Sequence, residues 1–180
     1  ALAHIYSFAS ARPSLKLKQD QYGNLLLLYN GTRKRNVPRL TATAHLDHPG
    51  LIWRENLDPR HFSFALYGGV NSNLLHGANV LIYSVHKPQG QRADRGIIID
   101  VSVNKGQRTQ VVVETKRALK PAASGTFATW AFPAWQLRGR KLHARVCDDL
   151  AGAAVGLAFL DELQRHKAKV RAGLLLTRAE

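Results

Sequence analysis

The stretch Val146-Cys147-Asp148-Asp149-Leu150-Ala151-Gly152 marks the change of pattern that decides the fold. Before it the chain has short strand-like runs, and from Asp149 to about His166 apolar residues recur at helical spacing. Residues 170–176 then form an almost continuous apolar run, which is typical of a buried parallel strand. A helix followed by such a strand predicts an α/β unit.

The N-terminal residues predict elements of the same unit. Gly23-Asn24 is a tight-turn signal between two apolar runs, which predicts a β-hairpin with strands at residues 15–17 and 22–29. Residues 39–45 predict a further strand, and residues 5–8 the end of a helix. The two ends of the chain therefore have α/β character.

The middle of the chain has a different texture. From about residue 68 to residue 141, short β-like runs alternate with turns, and no helical periodicity of any length occurs. The clearest runs are 80–85, 96–103 and 110–114. We therefore predict an α/β domain formed by residues 1–66 and 143–180, with residues 67–142 inserted as a small all-β domain.

Composition limits the classes of function. The chain has 180 residues, 45% of them apolar, which is enough to form a core, but its apolar runs are far too short to cross a membrane. A single cysteine excludes an internal disulfide framework and favours a cytoplasmic location. The first residue is alanine and no methionine occurs, so we expect an internal fragment of a longer protein.

The formal net charge of +14 raises the question of nucleic-acid binding. Residues 66–143 contain eleven Lys and Arg against three Asp and Glu, but the basic residues fall in loop-like stretches without interleaved aromatic residues. This distribution favours a solvated basic surface. We accordingly do not expect nucleic-acid binding.

Three places in the sequence carry residues that could bind a metal or take part in catalysis. His45 and Asp47 follow a predicted strand, where a histidine can bind a metal while a carboxylate accepts the other ring proton. Asp148 and Asp149 lie at a strand-to-helix turn and could bind a metal, or could cap the helix instead. Glu180 follows the last strand, where it could equally be a solvated terminal residue.

The order of these places strengthens the prediction of a site. All three are expected at the carboxyl edge of one sheet, where ligands bind in α/β folds. A pair of metal ions about 3.5–4 Å apart needs a bridging carboxylate, histidine ligands and a nearby general base. The three segments could supply a share of such a site.

The ordered set of motifs resembles the TET-type (glutamyl or deblocking) aminopeptidases, a family of two-metal zinc exopeptidases. The matching stretches span nearly the whole chain: Asp20-Gln21-Tyr22-Gly23-Asn24-Leu25, Ala44-His45-Leu46-Asp47, Tyr67-Gly68-Gly69-Val70, Leu75-His76-Gly77, Asp148-Asp149-Leu150-Ala151-Gly152 and the closing Leu-Thr-Arg-Ala-Glu. The resemblance implies a three-layer α/β catalytic domain, incomplete here, with an inserted β domain.

The resemblance also implies roles for individual residues. His45 would bind one of two divalent metal ions, with zinc the first choice and cobalt or manganese as alternatives, and Asp148 would bridge both ions. Asp47 would orient His45 or tune its metal, and Glu180 would be the general base. In that family Asp148 and its neighbour are often joined by a cis peptide. The inserted domain would serve assembly, as in the family's dodecamers, and would line the chamber for peptide substrates.

Departures from the family pattern qualify these roles. His48 stands where the family has an acidic residue, and Leu150 where it often has Arg. Three expected later ligands do not occur, so we expect the chain by itself to bind zinc weakly and to be inactive. The alternatives are a related two-metal exopeptidase or deacylase, and a basic β-module that binds RNA or acidic partners and carries vestigial enzyme residues.

Overall fold

The computed structural model describes residues 1–32, 34, 36, 39–86, 92–103 and 106–179. They form two compact units, one of Ala1–His48 with Val146–Glu180 and the other of Pro49–Arg145. We call these the sheet unit and the barrel unit. No helix among the described residues is long and apolar enough to cross a membrane.

The sheet unit contains two helices and four strands. Their bounds are α1 Leu2–Ser10, β1 Leu15–Gln19, β2 Leu25–Asn30, β3 Arg39–His45, α2 Leu150–Arg165 and β12 Arg171–Thr177. The strands lie in the order β1-β2-β12-β3, in which only β12 and β3 are parallel neighbours. The predicted hairpin, the strand at 39–45 and the final helix and strand are therefore confirmed.

Both helices pack on one face of the sheet. Leu25 and Leu27 project from that face of β2, and they share one buried cluster with Ile5 of α1 and with Leu157 and Leu160 of α2. Gly156 allows helix α2 to pack closely against strand β12, because a Cβ atom at this position would lie 2.5 Å from Leu174 Cδ1. The described residues thus show a sheet with helices on one face, and the predicted third layer is not confirmed.

The barrel unit holds the remaining strands. Their bounds are β4 Gly50–Asn56, β5 His61–Tyr67, β6 Asn79–Tyr83, β7 Asp94–Ser102, β8 Gln110–Thr115, β9 Phe127–Trp130, β10 Trp135–Arg138 and β11 Lys141–Ala144, with a 3-10 turn at Ser72–Leu74. Six of them close a barrel in the order β4-β5-β8-β7-β6-β9, and β10 and β11 form a separate hairpin. Large side chains such as Leu51, Phe64 and Ile98 are fully buried in the barrel core.

The structure corrects the predicted boundaries of the inserted domain. The insert begins at Pro49 rather than at residue 67, and it ends at Arg145 rather than at residue 142. The reason is strand pairing: β4 pairs with β5 and β9, and β5 also pairs with β8, so both β4 and β5 belong to the barrel. Assigning residues 49–66 and 143–145 to the α/β domain was therefore wrong.

Candidate metal centre

His45 lies at the carboxyl edge of the sheet, as predicted. It is the last residue of β3, and its backbone is in register with Thr177 at the end of the parallel strand β12. The amide of Leu46 donates to the carbonyl oxygen of Thr177 at 2.8 Å, which extends the pairing beyond both strand ends. The side chain of His45 is 19% exposed, so it is held in place but open to solvent on one side.

Asp148 meets His45 across a long sequence separation. Nε2 of His45 lies 3.1 Å from Oδ1 of Asp148, although the two residues are 103 positions apart. The Asp148 side chain is 93% exposed, so it faces solvent on every side but this one. The structure therefore brings together the two residues that were predicted to bind metal.

The other ring nitrogen of His45 faces the main chain. Nδ1 lies 2.9 Å from the carbonyl oxygen of Asp47, whereas the nearest Asp47 carboxylate oxygen is 3.6 Å away, too far for a hydrogen bond. The orienting acceptor of the described geometry is therefore the backbone of Asp47 rather than its carboxylate. A carbonyl oxygen can only accept, so Nδ1 carries a proton.

This arrangement has room for a proton or a metal ion between His45 and Asp148. With its proton on Nδ1, a neutral His45 directs the Nε2 lone pair at a carboxylate oxygen, and two acceptors at 3.1 Å repel unless a proton or a metal ion lies between them. Two ligand atoms on one tetrahedral zinc ion, each about 2.0–2.1 Å from it, are about 3.3 Å apart. The donor types and their separation therefore fit a shared metal ion.

The adjacent aspartate has a structural role. Asp149 is the N-cap of α2, and its Oδ1 accepts a hydrogen bond from the amide of Gly152 at 3.1 Å. A Cβ atom at Gly152 would lie 2.1 Å from that oxygen, so a glycine is needed for the cap. The peptide bond between Asp148 and Asp149 is cis. The sequence left metal binding and capping open for both residues, and the structure assigns the cap to Asp149.

A second turn supports the same edge of the sheet. Asp20 accepts hydrogen bonds from the amides of Tyr22 and Asn24, both at 2.9 Å, and from the Asn24 side chain at 2.8 Å. The Asn24 side-chain hydrogen bond lowers the pKa of Asp20 below its ordinary value of 3.8. Oδ1 of Asn24 in turn accepts from the amide of Arg178 at 2.9 Å, directly after β12. Sequence reasoning gave these residues no role beyond the turn.

The described residues provide few ligands beyond this pair. No group of three or more His, Cys, Asp or Glu side chains placed to hold a metal ion occurs among them. His48 is exposed, and Glu180, the predicted general base, lies outside the described residues. A catalytic zinc site normally uses three protein ligands, so the donors fit a metal ion in kind but not in number.

Comparison with known proteins adds evidence on the fold. No family model matches the chain, and no curated protein matches its sequence. An aminopeptidase from Desulfurococcus kamchatkensis superposes with a TM-score of 0.72 at 21% identity, over 97% of this chain and 50% of that one. The TET1 peptidase of Pyrococcus horikoshii gives 0.69 at 18% identity, over 98% and 54%. A TET aminopeptidase from a marine sediment Thaumarchaeota archaeon gives 0.73 at 14%, over 99% and 52%.

The chain has the fold of TET-type aminopeptidases. The resemblance inferred from the sequence motifs is confirmed at this level, and the chain spans about half the length of the structures that it matches. A structure with the same fold from Thermotoga maritima carries the name endoglucanase, with a TM-score of 0.63 at 18% identity. The fold alone therefore does not decide the reaction, which depends on the site.

Proposed function

We propose that this chain is part of a two-metal aminopeptidase that removes N-terminal residues from peptides. The observation that carries the proposal is the His45–Asp148 pair, in which Nε2 and Oδ1 lie 3.1 Å apart at the carboxyl edge of the sheet. The TET-type fold and the order of the motifs support it. The donor chemistry suits zinc, and also cobalt or manganese.

Each residue has a part in this proposal. His45 would hold one ion through Nε2, because its Nδ1 proton is engaged by the Asp47 carbonyl oxygen. Asp148 would supply carboxylate oxygens to the site, and the nearby Asp47 carboxylate would add negative charge. A metal ion held there would supply Lewis-acid polarisation of the scissile carbonyl and would lower the pKa of water. Glu180, two residues beyond Arg178, would accept a proton from the attacking water.

The number of donors limits what this chain does by itself. Two ligands are fewer than the three of an ordinary catalytic zinc site, so we expect weak zinc binding and no peptide hydrolysis by the 180-residue chain. In the complete site, we propose that other segments of the protein supply the missing ligands.

The barrel unit is proposed to serve assembly and to line a substrate chamber. The Pyrococcus horikoshii TET1 peptidase is described as assembling into a tetrahedron or a large octahedral shell. By analogy we propose a homo-oligomer for the protein to which this chain belongs, and peptides as its substrates. Sedimentation velocity of the chain tests the proposed homo-oligomer. A sample that is purely monomeric at about 100 μM would oppose it, because any self-association would then have a dissociation constant weaker than roughly that concentration.

Zinc titration of variants tests the proposed site. We expect His45→Ala and Asp148→Asn each to weaken zinc binding at least about tenfold, measured by competition with a chromophoric chelator. His48→Ala is the matched control, because His48 is an exposed histidine three residues from His45. Equal losses in all three variants, or no loss in the first two, would contradict the site.

Activity assays test the reaction. Aminoacyl-nitroanilides and a soluble β-glucan should both remain intact with the 180-residue chain, since its described residues provide fewer metal ligands than a catalytic zinc site needs. In a longer form of the protein, Glu180→Gln should abolish nitroanilide cleavage while metal content stays unchanged. Cleavage of the glucan without cleavage of the nitroanilides by that longer form would favour an endoglucanase activity instead.

A further inference from the structure

One side of the barrel unit gathers basic side chains from two separate segments. Two adjoining depressions of about 370 and 760 Å³ share Asp94, Arg117 and Leu119. We call them together the basic groove. Its basic side chains are Arg92 and Arg95 at the start of β7, and Lys116, Arg117 and Lys120 after β8. All five are exposed.

The groove keeps a positive charge after its ion pairs are counted. Asp94 lies at its floor with 7% of its surface exposed, and it accepts a hydrogen bond from Arg117 at 3.2 Å. Within the described part of the chain, Arg95, Lys116 and Lys120 are in no ion pair. These three charges are therefore available to an anionic ligand.

Aromatic rings border the same surface. Tyr83 lines the larger depression, and its ring stacks on Phe127 with centroids 5.0 Å apart and planes inclined by 12°. The two residues are direct partners on β6 and β9, and Leu81, two residues before Tyr83, is the partner of Arg95 on β7. Alternate residues share a face, so the rings and Arg95 lie on the same outer surface of the barrel.

The surface matches a ligand that combines repeated negative charge with flat rings. From β9 across β6 and β7 to β8 it spans three strand spacings, or about 14 Å. A stacked single strand rises about 3.4 Å per nucleotide, so about four nucleotides fit across it. Phosphates can contact the cations while a base stacks on Phe127, which is 42% exposed.

We propose that the basic groove binds single-stranded nucleic acid. An acidic peptide would satisfy the cations but would leave the stacked rings without a matching group, which is why the observations favour a polynucleotide. From the sequence, an RNA-binding β-module was only an alternative, because the cations come from residues 92–95 and 116–120 and the rings from two further strands. The proposal is independent of the metal centre, which lies in the sheet unit.

Fluorescence anisotropy with a labelled 12-nucleotide oligo-dU or oligo-U tests the proposal on the 180-residue chain. Three neutralised phosphates predict a slope of about −2 in a plot of log K against log salt. The double variant Arg95→Glu/Lys116→Glu should lose on the order of tenfold or more in affinity at 50 mM salt. Phe127→Leu, which keeps apolar bulk without a ring face, should lose about fivefold or more.

Matched variants separate the groove from the general charge of the protein. Arg140→Glu/Lys141→Glu changes the net charge equally on the β10–β11 hairpin, and Phe132→Leu removes a ring that is 57% exposed outside the groove. Both should bind like the parent chain. Losses equal to those of the groove variants would overturn the proposal, as would equal competition by a twelve-residue polyglutamate peptide.

Discussion

The two neighbouring aspartates before α2 are expected to respond differently to substitution. Asp149→Ala removes the acceptor that the Gly152 amide uses at 3.1 Å, and with it a negative charge at the helix N-terminus. Loss of an N-cap costs about 1 kcal/mol, and loss of the favourable charge about 0.5 kcal/mol. We therefore expect the free energy of unfolding to fall by about 1.5 kcal/mol.

Asp148→Asn should leave stability almost unchanged. Its side chain is 93% exposed and the substitution keeps its shape, so the free energy of unfolding should move by less than about 0.5 kcal/mol. The same variant removes the carboxylate that faces His45 at 3.1 Å, and zinc binding should fall with it. We thus expect Asp149 to affect stability and Asp148 to affect zinc binding.

Two spectroscopic signals measure this separation. The two described α-helices belong to the sheet unit, so urea unfolding followed by circular dichroism at 222 nm reports on it. All three tryptophans lie within Pro49–Arg145, so their emission verifies that the barrel unit is folded in each variant. With an m value of about 1.5 kcal/mol/M, Asp149→Ala lowers the urea midpoint by about 1 M. Equal midpoints for the two variants, or unchanged zinc affinity in Asp148→Asn, would refute the division of roles.

Three further predictions follow from packing and from one pKa. Gly156→Val forces a side chain against Leu174, where even Cβ would lie 2.5 Å from Cδ1, so the 222 nm transition should lose about 1–3 kcal/mol. Phe64→Ala empties a fully buried barrel position and should cost about 3–5 kcal/mol in the tryptophan-detected transition. Because the pKa of Asp20 is lowered in the folded state, this carboxylate stabilises the fold at pH values above its ordinary pKa, and that stabilisation is lost as the pH falls through the folded-state pKa. The Asn24 side-chain amide signal in NMR spectra should therefore titrate with a midpoint below 3.8.

Local patterns in the sequence were sufficient for the sheet unit. Gly23-Asn24 predicted the β1–β2 hairpin because a tight turn between apolar runs has few alternatives. The apolar run at the end of the chain predicted a buried parallel strand, and β12 pairs in parallel with β3. Because those two strands end together, placing His45 at the sheet edge followed from sequence as well.

Other features could not be obtained from local patterns. By sequence, β4 and β5 are short strands that could belong to either unit, and only their partners, β9 and β8, show that they belong to the barrel. Either aspartate could cap α2 by sequence, and backbone geometry selects Asp149. The basic groove depends on which strands lie side by side, which charge counts along the chain do not reveal.

The insertion of the barrel unit has a consequence for how the pair His45 and Asp148 is assembled. The sheet unit is interrupted after His48, three residues beyond His45, and resumes at Val146, two residues before Asp148. If the intervening segment were flexible, closing a loop of 103 residues would cost about 4 kcal/mol in chain entropy. A folded insert lowers that cost by restricting where its two ends can lie. Loosening the folded barrel would therefore weaken the proposed metal site without altering His45 or Asp148, because the chain between them would regain conformational freedom.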